Sequence, residues 1–128
     1  MRTRAGDRGD ARARYQLGIA YFELAGIADS GSGRAVMQAA VGNYVLAAIA
    51  FADAICLATL GRRSADADHS KAAELLALAD REIASDLKRL LSYKTQAHYG
   101  SVTMTADDLS RAHRHVARLA QRAVQAIG

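Results

Sequence analysis

The chain has 128 residues, no proline, no tryptophan and 29 alanines, with 51% apolar residues and 23% charged. One domain's length with this balance describes a folded chain and excludes Pro-rich, mucin-like and disordered segments. A single cysteine, Cys56, excludes a disulfide framework and a cysteine-based zinc site, and fits the cytoplasm. The net charge is +4, from 14 Arg and 3 Lys against 13 acidic residues, which permits attraction to nucleic acid without requiring it.

Few aromatic and β-branched residues argue against a sandwich or barrel, and alanine-rich sequence free of proline argues for helices. The first ten residues are expected to be a flexible basic tail, followed by one helical domain over 11–128. Arg2, Arg4, Arg8, Arg12 and Arg14 crowd the start. Such a start is either a solvated end or an arm that grips phosphate. It lacks the apolar stretch and cleavage site of a signal peptide.

The first helix is predicted from about Ala11 to Ala28, with Leu17, Ala20, Tyr21, Leu24, Ile27 and Ala28 as its apolar stripe. Asp29 to Gly33 is a loop by composition. The second helix runs from about Arg34 to Leu60. Its stripe holds Val36, Ala40, Tyr44, Ala47, Ala48, Phe51, Ile55 and Leu60, but its other faces are apolar too, so partners should surround it. Residues 35–52 carry no charge and reach the length of a membrane span. Gln38, Gly42 and Asn43 interrupt them, and the expected reading is a buried central helix with no membrane partner. Gly61 ends that helix.

A third, short helix is expected over about Asp66 to Ala79, capped by Asp66 or Ser64, with Ala72, Leu75, Leu76 and Ala79 inward. Asp80 is a break and a cap. The fourth helix, about Arg81 to Tyr99, sets Ile83, Leu87, Leu90, Leu91 and Lys94 on one stripe. Thr105-x-x-Asp108 has the form of a capping box for a fifth helix, about Ala106 to Ala126. The fold class is therefore all-α, an up-and-down antiparallel bundle of four long helices and a short one. Alanine at so many inward positions leaves little buried area per residue, so a homodimer is expected to supply more.

No metal-ligand spacing, dinucleotide motif or phosphate loop is present, and no cofactor or metal is expected. Asp53 stands in the most apolar helix. It is either a partly exposed carboxylate at a helix edge or a group paired with Arg62, Arg63, Lys94 or His98. Arg111, Arg114, Arg118 and Arg122, with His115, make a basic stripe on the fifth helix. The stripe is either a solvated face or a surface for phosphate contact along RNA.

Asn43-Tyr44 and the run Ala47 to Cys56, then Gly61-Arg62-Arg63-Ser64, Asp68-His69 and Ala72-x-x-Leu75-Leu76, resemble the HEPN domain superfamily, in its actinobacterial type. Leu90 to Tyr99 is similar to the segment that carries Arg-x-x-Ala-x-Tyr or Arg-x4-6-His in that superfamily, and Thr105 to Ala126 stands in the place of its final helix. The resemblance covers about residues 11 to 127. It implies a helical bundle that dimerises. Many such proteins are metal-independent ribonucleases, some of them toxins paired with an antitoxin protein.

The resemblance puts Lys94, His98 and Tyr99 at the catalytic positions, with Asp53, Arg62, Arg63 and His69 as partners in the cleft. Lys94 replaces the motif arginine and lacks its planar fork. Tyr99 occupies the expected histidine position, and His98 falls one residue short, about 100° away on a helix. Arg63-x5-His69, or Arg62 with six residues between, has an allowed spacing in a different connection. These departures favour a non-catalytic HEPN-like dimer that binds protein or RNA. The alternatives are a divergent ribonuclease and an unrelated structural or regulatory bundle.

Overall fold

The computed structural model describes residues 1–99 and 104–128, with side chains over 1–95 and 104–128. Its elements, in chain order, are β1 (Thr3–Ala5), α1 (Arg8–Asp29), α2 (Arg34–Leu60), β2 (Arg62–Ser64), α3 (Ser70–Ala79), α4 (Arg81–Tyr99) and α5 (Ala106–Ile127). The all-helical reading holds in outline, and the addition is a small two-stranded ribbon.

The ribbon corrects the expectation of a flexible tail over residues 1–10. Gly61 closes α2 in the left-handed conformation, φ 72°, and turns the chain back. β2 then pairs antiparallel with β1, Thr3 opposite Ser64 and Ala5 opposite Arg62. The Ala65 amide donates to the Arg2 carbonyl at 3.0 Å, and the Arg2 amide to Asp66 Oδ2 at 2.9 Å. Helix α1 starts at Arg8, earlier than expected, because Asp7 and Asp10 form a reciprocal capping box. The Arg8 guanidinium reaches across and donates to the Ile127 carbonyl at the end of α5.

Helix α2 is the hub, packing on α1, α3, α4, α5 and β2. It is long and apolar enough to cross a membrane, and 78% of its most apolar window is buried within the bundle. Phe51 lies at its centre with Tyr15 and Phe22 of α1 around it, ring centroids 5.7 and 6.4 Å away. Helix α4 contributes Ile83, Leu87 and Leu90 to the core, and α5 contributes Leu109, Ala112, Val116, Leu119 and Ala123.

The stripe expected on α1 needs revision. Leu17, Leu24 and Ile27 are 40%, 51% and 70% exposed. Ala11, Gly18 and Ala25 are the buried positions instead. Residues seven apart share a helix face, and small ones let two backbones come close. A Cβ on Gly18 would stand 2.6 Å from the Phe51 ring. Helix α3 begins at Ser70, later than expected; Asp66 is instead engaged by the Arg2 amide beside the ribbon. Neither Ser64 nor Asp66 caps it; Asp68 accepts from the Ser70 amide at 3.0 Å. The Thr105–Asp108 box on α5 forms as expected.

Candidate functional site

Two polar sites penetrate the apolar bundle. The first forms where α1, α2, β2 and the start of α3 meet. A cavity of about 210 Å³ is lined there by Arg14, Asp53, Arg63, Asp66 and His69. Asp53 is only 5% exposed, which removes the helix-edge reading. Its Oδ2 lies 3.7 Å from Arg14 Nη1, an ion pair with no shared hydrogen bond at that distance. Burial pushes the Asp53 carboxyl up to about 6, against the opposing pull of Arg14 and Arg63.

His69 is held below its ordinary value, first by burial and then by the positive charge of Lys94, with Asp68 pulling the other way. Asp53, Arg63 and His69 thus share one cavity; Lys94 of α4 does not line it, and only its charge acts on His69. Arg62 does not line this cavity; it is exposed and opposes the rise that burial imposes on the Cys56 thiol. The side chains of His98 and Tyr99 lie outside the described residues. The partner of Asp53 that the sequence did not disclose is Arg14. It belongs to the crowded basic start and carried no signal setting it apart from the other arginines there.

The second site lies between α4 and α5. On the basic face of α5, Arg111, Arg114 and Arg118 are exposed, while one edge of the face packs along acidic positions of α4. His115 Nδ1 is 2.7 Å from Asp86 Oδ1, and Arg118 Nε donates to Asp86 Oδ2 at 3.2 Å. Arg122 Nε donates to Asp80 Oδ2 at 2.9 Å, and Arg118 reaches Glu82 at 3.5 Å. Asp86 is 4% exposed, so these two partners stabilise a charge that would otherwise be costly to bury.

Beside this pair opens a cavity of about 560 Å³ lined by Arg89, Arg111, Arg114, Arg118, His115 and Tyr93, with Asp86 at its wall. Four guanidiniums therefore face one carboxylate that is already paired. Arg111 also touches Asp108 at 3.3 Å. Tyr93 packs against the His115 ring, centroids 6.3 Å apart. Four residues of the predicted stripe, Arg111, Arg114, His115 and Arg118, come together here, and Arg122 falls outside.

Asp86, Arg89 and Tyr93 were missed by sequence reasoning. A signal existed for Asp86: it lies three residues after Ile83 and four before Leu90, on the inward face of α4. A carboxylate in that position needs a cation brought by another helix.

In the tautomer that donates Nδ1–H to Asp86, the His115 ring carries a lone pair on Nε2 that could take a proton from a bound group. The arginines offer planar forks suited to phosphate oxygens. The site can therefore hold a phosphodiester and present a base to it. Among the described residues no group of three or more His, Cys, Asp or Glu is placed to hold a metal ion. Comparison with known proteins finds no matching family model, no matching curated protein and no matching solved structure.

Proposed function

We propose that this chain is a HEPN-like, dimeric RNA-binding module that grips the phosphate backbone in the pocket between α4 and α5. The observation that carries the reading is the convergence of Arg89, Arg111, Arg114 and Arg118 on one open cavity. Asp86 supports it by engaging His115 and Arg118, which fixes the cavity wall. Arg89 and Arg114 have no ion pair among the described residues, so their charge is available to a ligand. The pattern of residues over α2, the turn after it and α4 supports the HEPN assignment.

The test is binding of a labelled single-stranded RNA across a salt series. Each phosphate contact that is lost lowers the salt slope by about 0.7 for a single strand. Arg114→Ala and Arg111→Ala are each expected to weaken binding at low salt and flatten the slope by about that amount. Binding that is insensitive to salt, or unchanged in both variants, overturns the reading.

One observation favours a second reading, a metal-independent ribonuclease. Asp86 orients a histidine beside several arginines. Nε2 of His115 would take the proton of a ribose 2′-hydroxyl. That oxygen would attack phosphorus as the 5′-oxygen leaves and takes a proton from water, while the guanidiniums offset the phosphorane charge. Lys94, whose charge acts on His69, is the other candidate that the resemblance implies. Cleavage of RNA lost in His115→Ala, or in Lys94→Ala, supports this reading and names the residue. Equal background in wild type and both variants removes it.

A further inference from the structure

Two arginines from the crowded start of the chain, Arg4 and Arg14, line a polar cavity that adjoins the Asp53 site through Arg14 and Arg63 and that the RNA-binding reading does not use. The antiparallel register sets Arg4 of β1 directly opposite Arg63 of β2. Directly opposed residues of a ribbon project to the same face, and like charges in that position destabilise the pair. Arg14 of α1 adds a third guanidinium. All three line a cavity of about 340 Å³ whose floor includes Leu57.

The carboxylates near this cavity are already engaged. Asp10 lines it, but its Oδ2 accepts the Asp7 amide at 2.9 Å to cap α1. Asp53 lies behind Arg14, at 3.7 Å. Neither Arg4 nor Arg63 has an ion pair among the described residues. Arg63 makes one long hydrogen bond, to the neighbouring Ser64 carbonyl at 3.3 Å. Three guanidiniums, two of them opposed across the ribbon, thus share two carboxylates, Asp10 and Asp53, of which Asp10 is tied up in a helix cap and Asp53 is buried. An anion lodged between the guanidiniums converts their repulsion into charge-assisted hydrogen bonds.

We propose that Arg4, Arg14 and Arg63 form a cup for a phosphoryl dianion, carried either by free phosphate or by a small phosphate monoester. Guanidinium forks match the oxygens of a tetrahedral phosphoryl group, and the cavity is large enough for that group and part of its carrier. The cup shares no residue with the α4–α5 pocket, so it stands or falls separately from the RNA-binding reading. Asp53 competes with the ligand for Arg14. Removing its charge therefore frees a guanidinium for the anion.

The experiment is amide chemical-shift mapping of the whole chain during titration with inorganic phosphate, repeated with uridine 5′-monophosphate. The expected result is a saturable shift centred on Ala5, Ala13, Arg14 and Arg63. Tighter binding of the monoester than of phosphate identifies an ester as the ligand, and equal binding identifies the free ion. Arg63→Gln is expected to weaken affinity by about tenfold, the effect of losing one hydrogen bond between charged groups. Arg4→Gln, on an exposed strand, gives the same readout should Arg63→Gln disturb folding. Asp53→Asn is expected to tighten affinity, an effect that a purely structural role for these residues does not produce. Shifts centred on α5, no saturable shift, or equal affinity in wild type and both arginine variants overturns the proposal.

Discussion

Asp53 sits where elementary solvation is most adverse to it. It is nearly enclosed by an alanine-rich helix, and one half-exposed guanidinium at 3.7 Å compensates only in part. Its folded-state value, about 6, stands above the ordinary 3.8. A carboxyl raised in this way holds its proton more tightly in the folded state than in the unfolded one. Its contribution to stability is therefore greatest at low pH, falls as pH rises from about 4 to about 6, and is constant above that. The loss is on the order of 3 kcal/mol. The charged and titratable groups sharing its cavity are Arg14 of α1, Arg63 of β2, Asp66 after β2 and His69 at the start of α3. Asp53→Asn keeps the shape and stays neutral, and the half-buried ion pair it gives up, with no shared hydrogen bond at 3.7 Å, offsets only part of the cost of burying the charge. Thermal melts of both proteins are expected to lie close at pH 4 and to separate by several degrees at pH 7.5, the variant being higher. A separation that does not change with pH refutes this account. The sequence marked Asp53 as unusual because a charge interrupts an apolar helix. It could not name Arg14 as the partner, because that pairing depends on how closely α1 approaches α2.

That approach is a property of the elements. Five helices, the central place of α2, the break at Asp80 and the cap at Thr105 could all be read from periodicity and capping chemistry. The inward face of α1 could not. Ranking residues by hydrophobicity turns Leu17 and Leu24 inward, yet the buried seam is Ala11, Gly18 and Ala25, chosen for small size. The ribbon escaped for a related reason: three-residue strands rich in arginine have no periodic signal, and they pair only because Gly61 and the Asp7 cap bring their ends together. Two glycine substitutions separate the effects of size and propensity. In Gly18→Ala the new methyl meets a fully buried Phe51 ring, which Tyr15 and Phe22 hold in place, and a loss of about 1–3 kcal/mol is expected. In Gly42→Ala, within α2, nothing lies within 4 Å of the new atom, and a gain of about 0.5–1 kcal/mol is expected. Denaturant midpoints measure both, and a gain in Gly18→Ala shows that the α1–α2 seam is looser than this packing requires.

For the molecule as a whole, the inverted seam of α1 has a consequence for assembly. Turning small residues inward leaves Leu17 and Leu24, seven apart, on the outer face, with the largely exposed Ile27 one turn further on. A lone exposed leucine needs no explanation, but a row of large apolar side chains along one helix does. The proposed dimer buries that row and adds apolar area that the alanine core withholds. It also doubles the number of basic pockets, so an RNA long enough to reach both gains avidity without any new contact. Light scattering at micromolar concentration is expected to give twice the chain mass of 13.6 kDa. Leu24→Asp combined with Ile27→Asp is expected to halve that mass while leaving the helical content unchanged, since both side chains are exposed in the single chain. Because α5 is untouched, the same variant should bind a short RNA as before and a long one less tightly. A single-chain mass for the wild type overturns the dimer, and a double variant that still dimerises moves the interface away from α1 and leaves its apolar row without this role.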